Sequence, residues 1–194
     1  GRRRPELLHP AARRVVVGAC RHHGRRHEEV GQVVSRLRVL QLLPSLGMGG
    51  AERLAVHLSR ALAEAEYDVR VVSMYDRVGS DLEEMLALAS VPVSYLGKRP
   101  GLDPRMVPAL RGAFRRHRPH VVHTHLRVLQ YALPAYLGSG ARARVHTVHN
   151  LATKEATRPG RVIQAAAFEA GVVPVAISEE VERSIEVVYG LKAP

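Results

Sequence analysis

Tryptophan is absent, and aromatic residues make up only 4% of the 194 positions, so Leu, Val and Ala must carry the packing of any core. A single cysteine, Cys20, excludes an intramolecular disulfide and fits a reducing compartment. Uninterrupted apolar runs fall short of the roughly 18 residues that a membrane-spanning helix requires, so no span is expected. The basic opening Gly1-Arg2-Arg3-Arg4 is not followed by a continuous apolar segment, which argues against a secretory or twin-arginine signal. Acidic residues are outnumbered, giving a net charge of +11, but the excess is local: ten Arg and three Glu fall within residues 1–38. Without aromatics between those arginines to stack on bases, residues 1–37 read as a solvated, disordered basic leader rather than a nucleic-acid-binding arm. Cys20 within it is given no role.

What is present is a regular alternation. With 46% apolar residues, the part beyond the leader suffices for one α/β domain and is too short for two. Val39–Leu43 is an apolar run closed by Pro44, the pattern of a buried strand, and Ala51–Glu66 repeats apolar residues at helical spacing. The alternation continues with strands at 69–74, 91–96, 121–125, 144–149 and 172–177. Helices are expected at 80–89, 103–117 (capped by Asp103), 128–137, 158–170, and from Ser178 onward. Six strands joined through helices imply a Rossmann-like, mostly parallel sheet with helices on both faces, and ligands bound beyond the carboxyl ends of the strands.

The unusual polar residues fall at those ends. Gly49 and Gly50 let a backbone approach a ligand closely, and the helix after them would aim its N–H groups at a phosphate or sugar hydroxyl; a tight turn is the equal alternative. The loop lacks the third glycine of a dinucleotide fingerprint, and Asp76 is the sole acidic residue near the end of the second strand, which argues against an NAD-type domain. Glu52 suits the first helical turn, with a ligand contact as the alternative. His123 and His125 share one face of a strand, and His149 with Asn150 ends the next; such imidazoles could hold a sugar hydroxyl or move a proton. No cysteine joins them and no metalloprotease or finger spacing is present, so no metal is expected. His117 and His120 read as solvated, like His22, His23 and His27 in the leader. Ser178 reads as a helix cap. Arg111, Arg115, Arg116 and Arg118 read as a solvated face, with docking on an anionic membrane as the alternative.

Taken together, Val39–Leu43 through Gly49-Gly50-Ala51-Glu52-Arg53, Arg118-Pro119-His120-Val121-Val122-His123-Thr124-His125, Val145–Asn150 and Val175–Glu179 resemble the N-terminal domain of the family 4 glycosyltransferases of GT-B fold. The likeness runs from about Arg38 to Leu191, with His120 standing where the family pattern has aspartate. It implies one half of a two-domain enzyme that moves a sugar, with retention, from a nucleotide-sugar donor to a sugar or lipid-linked acceptor, without a metal or other cofactor. It implies that His125 contacts the transferred sugar as the catalytic candidate. Gly49, Gly50, Glu52, His149, Asn150 and Ser178 would border phosphate, donor or acceptor. The partner would be a C-terminal donor-binding domain, absent from residues 38–194, so the chain alone is expected to be inactive. The place would be the cytoplasm, with peripheral membrane contact. The alternative is a non-catalytic Rossmann-like module holding a glycan, lipid or partner domain.

Overall fold

The computed structural model describes residues 36–191; apart from Arg36 and Leu37, the basic leader with Cys20, His22, His23 and His27 lies outside them. Six strands, β1 (Arg38–Leu43), β2 (Asp68–Ser73), β3 (Val93–Tyr95), β4 (Val121–His125), β5 (Ala143–Val148) and β6 (Val173–Ala176), form one sheet. All neighbours pair in parallel, in the order β3-β2-β1-β4-β5-β6. The helices are α1 (Gly50–Glu64), α2 (Asp81–Leu88), α3 (Met106–His117), α4 (Leu129–Ala135), α5 (Ala152–Glu155), α6 (Arg158–Glu169) and α7 (Glu179–Tyr189). The expected Rossmann-like α/β architecture is therefore present. Chain order reverses between β1 and β4, which opens a crevice at the carboxyl ends of those two strands.

The strands are apolar on both faces because helices cover both. Leu40, Leu42 and Val122 pack in one cluster with Leu110, Phe114 and Ala132 of α3 and α4 and Phe168 of α6. Val39, Leu43 and Val71 pack in the other with Ala55 and Val56 of α1 and Leu82 and Leu86 of α2. Local signals fix the helix ends. Ser80 and Glu83 form a reciprocal capping box at α2, and Gly190, at φ 68°, closes α7 in the left-handed conformation that glycine tolerates.

Several boundaries move, each for a visible reason. Asp103 does not cap α3, whose N-cap is Arg105 with no side-chain hydrogen bond. The Asp103 carboxylate instead accepts the Arg99 and Arg105 backbone N–H groups and the forked Arg105 guanidinium, at 2.6 and 2.8 Å. β3 is shorter than expected because the Val91 N–H bonds back to the Leu86 carbonyl and finishes α2. The helix expected at 128–137 shrinks to Leu129–Ala135 behind a 3-10 turn at Leu126–Val128, with Pro134 in its last turn lacking an N–H. The short α5 was not foreseen. His117 and His120 are not solvated either: both are half-buried, and the His120 Nδ1 accepts the Arg38 backbone N–H at 3.0 Å.

Candidate functional site

The register of the central strands assembles a column of polar side chains in an otherwise apolar sheet. Gln41 lies opposite His123, which lies opposite Val145, and His125 lies opposite Thr147. Alternation along the strands puts Gln41, His123, His125 and Thr147 on one face, with His146 and Thr124 on the other. The His123 Nε2 meets the Thr147 Oγ1 at 2.7 Å, and the His146 Nδ1 meets the Thr124 Oγ1 at 3.0 Å. The His125 Nε2 lies 2.9 Å from the Gln41 Oε1, and its Nδ1 lies 2.9 Å from the Nε2 of His149.

That geometry dictates a chain of donors. With the Gln41 carbonyl toward the ring, the His125 Nε2–H donates to it, and the His125 Nδ1 accepts the Nε2–H of His149. The Nδ1 of His149 is then left as an acceptor. Turning the Gln41 amide over would reverse each donor and keep both rings neutral. Burial reinforces neutrality. It drives His125 far below the ordinary histidine range, aided by the neighbouring imidazoles. Burial takes His123 to about 4, with His149 adding to the effect, and takes His146 to about 3. His149, half-buried, is lowered to about 4 by the same cause. At neutral pH these rings are uncharged hydrogen-bonding groups.

The residues marked in the sequence do not all meet. His125 has no exposed surface, so the sugar contact implied for it requires its neighbours to move; the member of the pair that reaches solvent is His149, beside exposed Asn150. Gly49 and Gly50 sit exposed at the start of α1, where no side chain caps the helix. The Glu52 carboxylate folds back against Gly49 into the space a Cβ would need, whereas a Cβ on Gly50 would meet open space. A Cβ at 49 would displace only the mobile end of the Glu52 side chain, and Gly49 has an ordinary φ of −75°, so neither glycine is demanded by its backbone; what they leave is a helix end without a side-chain cap. Ser178 accepts the Val181 N–H at 3.3 Å and caps α7, just past the edge strand β6 and away from the crevice.

A cavity of about 620 Å³ opens beyond the carboxyl ends of the strands. Of the residues marked in the sequence, Asn150 alone lines it; Tyr75, Lys98, Arg127, Tyr131, Lys154 and Glu155 were passed over. Their signal is position, since Tyr75, Lys98 and Arg127 lie in the loops just past the ends of β2, β3 and β4. Leu126, also in the wall, has φ 53°, a left-handed conformation that a branched side chain rarely adopts. Among the described residues, no group of three or more His, Cys, Asp or Glu is arranged to hold a metal. No helix among them is long and apolar enough to cross a membrane.

The sheet order and the crevice define a Rossmann-like half of a GT-B glycosyltransferase fold, and known structures agree. Anabaena HepE, determined in complex with UDP and glucose, matches with a TM-score of 0.64 at 14% identity, over 79% of this chain and 41% of its own. A glycosyltransferase from Rickettsia africae matches at TM-score 0.64 and 18% identity, over 81% of this chain and 41% of its own. Sucrose-phosphate synthase from Thermosynechococcus elongatus matches at TM-score 0.63 and 14% identity, over 81% of this chain and 47% of its own. The chain thus spans less than half the length of these structures. No curated protein sequence matches it significantly. The family model for Glycosyltransferase Family 4 matches residues 48–194, and the chain belongs to that family as a glycosyltransferase N-terminal domain.

Proposed function

We propose that this domain forms the acceptor-side wall of a retaining glycosyltransferase that takes a nucleotide-sugar donor and uses no metal. One observation carries the reading: the uncapped N-terminus of α1 at Gly49-Gly50, the His125–His149 pair and the cavity all open on the carboxyl edge of the sheet, about the β1–β4 reversal. The complex of HepE with UDP and glucose supports the donor class. In this arrangement His149 faces the sugar, and His125, held by Gln41, fixes the tautomer and angle of the His149 ring. Gly49, Gly50, Glu52 and Asn150 border the donor phosphates and the acceptor. His125 is thus a positioning residue.

The same edge supports a second body on top of it. Met48, Val78, Leu102 and Ile177 are large apolar side chains, all exposed, and each lies in a loop that follows a strand. A donor-binding domain would cover them. Turnover requires that domain, so the 194-residue chain assayed alone is expected to give no sustained transfer. The proposed setting is the cytoplasm, with Arg115 and Arg116 of α3 able to touch the inner membrane face.

Reading the coding DNA past the Pro194 codon tests the proposal. A second α/β pattern carrying the paired-glutamate donor motif supports a transferase. Sustained sugar transfer by the purified chain would overturn the need for a second domain. A downstream sequence without that motif, and no separately encoded chain that confers transfer, would favour the binding module.

A further inference from the structure

The cavity wall has a charge pattern that the family assignment does not supply. Lys98, Arg127 and Lys154 line it with one carboxylate, Glu155, so the wall is net positive. The lysine at 98 is already engaged: its Nζ donates to the Tyr75 hydroxyl at 3.2 Å and to the Arg99 and Gly101 carbonyls at 2.8 and 2.5 Å. It lies over the Tyr75 and Tyr131 rings, 4.9 and 5.7 Å from their centroids. Its donors shape the loop, and its charge remains uncompensated by any carboxylate. Neither the Arg127 guanidinium nor the Lys154 ammonium makes a salt bridge or a side-chain hydrogen bond among the described residues. The strained backbone at Leu126 immediately precedes Arg127 and sets it in the cavity wall.

Glu155 supplies the complementary half. Its Oε1 is buried and has no hydrogen-bond partner, an arrangement that is costly for a carboxylate unless a donor arrives. Burial holds its carboxyl above the usual range, opposed first by the His149 and Asn150 backbone N–H groups that face the carboxylate and then by the Arg127 charge. No cation closes on it: Arg127 and Lys154 both lie outside ion-pair distance. A ligand fits these groups when it carries a multiply charged anion for the two cations and an adjacent hydroxyl for Glu155. A cavity of about 620 Å³ has room for a monosaccharide bearing such a group.

We infer that this cavity takes a phosphate ester of a sugar or polyol, with Arg127 and Lys154 binding the phosphate and Glu155 accepting a hydrogen bond from a neighbouring hydroxyl. The inference rests on the acceptor-side reading for its biological use, but the binding stands or falls on its own. The shared chemistry has two sources, a soluble sugar phosphate and the headgroup of a phosphate-bearing lipid.

The test is calorimetric titration of the purified chain with glucose-6-phosphate, glucose and inorganic phosphate, and a flotation assay with phosphatidylglycerol and phosphatidylcholine vesicles. Glucose-6-phosphate is expected to bind at least about tenfold more tightly than either glucose or inorganic phosphate, because charged and hydroxyl contacts add. Retention by phosphatidylglycerol vesicles, lost in Arg127→Gln and competed by glucose-6-phosphate, assigns the lipid source; its absence beside tight soluble binding assigns the sugar phosphate. Arg127→Gln and Lys154→Gln should each weaken glucose-6-phosphate by about tenfold and leave glucose unchanged. Glu155→Gln separates the two halves: it should strengthen inorganic phosphate by removing a like charge, yet weaken glucose-6-phosphate. Equal affinity for all three probes, or a Glu155→Gln variant that strengthens both phosphates alike, overturns the inference. If binding fails while a paired-glutamate domain is found downstream, the phosphate ester falls and the transferase reading stands. Tight binding without any donor domain leaves the site and removes the transferase reading.

Discussion

Acidification across the histidine range should destabilise this domain far more than its carboxylates would suggest. His123, His125 and His146 are buried and held neutral, with His123 at about 4, His146 at about 3 and His125 also far below its ordinary value. In the unfolded chain each would titrate at about 6.5. Their folded values are depressed, so below 6.5 the unfolded state takes up protons that the folded state refuses. Stability is present above that value and is lost as pH falls toward the folded values. Between about pH 7.5 and about pH 5.5 each ring contributes a loss of about 1.4 kcal/mol, or about 4 kcal/mol for the three together. That is a large part of the roughly 5–15 kcal/mol available to a typical domain. The carboxylates held low, Glu83 and Asp103, act below this window, while Glu155, raised by burial, acts in the opposite sense. Urea midpoints measured across the range should fall steadily, and because His149, lowered to about 4, joins the three buried rings, the net uptake on unfolding should exceed three protons at the acid end. His146→Gln should flatten the slope by about one quarter. A midpoint that stays level from neutral to mildly acid pH would refute the assignment of these rings as buried and neutral.

Three further outcomes follow from single contacts. Ser80→Ala removes one half of the α2 capping box and should cost about 1 kcal/mol in chemical denaturation. Glu83→Ala should cost more, because its carboxylate also accepts the Val78 and Gly79 backbone N–H groups, at 3.0 and 2.8 Å. Burial and the Arg38 and Arg142 charges hold His120 below its ordinary range, so its Nδ1 keeps accepting the Arg38 N–H at mildly acid pH; His120→Ala removes that acceptor and should speed amide exchange at Arg38 relative to the parent chain.

The sheet was legible because its strands are buried on both faces and therefore continuous in the sequence; Val39–Leu43 and Val121–His125 needed no partner to be recognised. Helix starts were legible where a side chain does the capping, as at Ser80 and Ser178, and illegible at α3, where Asp103 serves a turn held by Arg99 and Arg105. The site divided in the same way. Strand-end histidines announce themselves by periodicity, but their partnership with Gln41 spans 84 positions and depends on register between β1 and β4. The cavity residues Arg127 and Glu155 carry no local pattern. They become a site only when the left-handed turn at Leu126 and the unforeseen α5 bring them to one wall.

The Gln41–His125 pair offers a way to separate what the fold needs from what the site needs. An apolar pair would pack in its place, since Val39 and Leu43 flank Gln41 on the same face of β1. The Gln41 Nε2 is already buried without a partner, so the pair is an imperfectly satisfied polar inclusion in an apolar sheet. Removing one member, as in His125→Val, strips the remaining bond from a fully buried amide and should cost about 1–3 kcal/mol beyond the loss of packing. Gln41→Val with His125→Val removes both polar groups and should recover most of that cost. A double variant as unstable as the two single changes added together would mean that the pair serves packing. A double variant close to the parent would mean that stability does not require the pair. What remains for it is the orientation of His149, and restoring the transferase with the double variant in place should then lower turnover while leaving the melting temperature near its starting value.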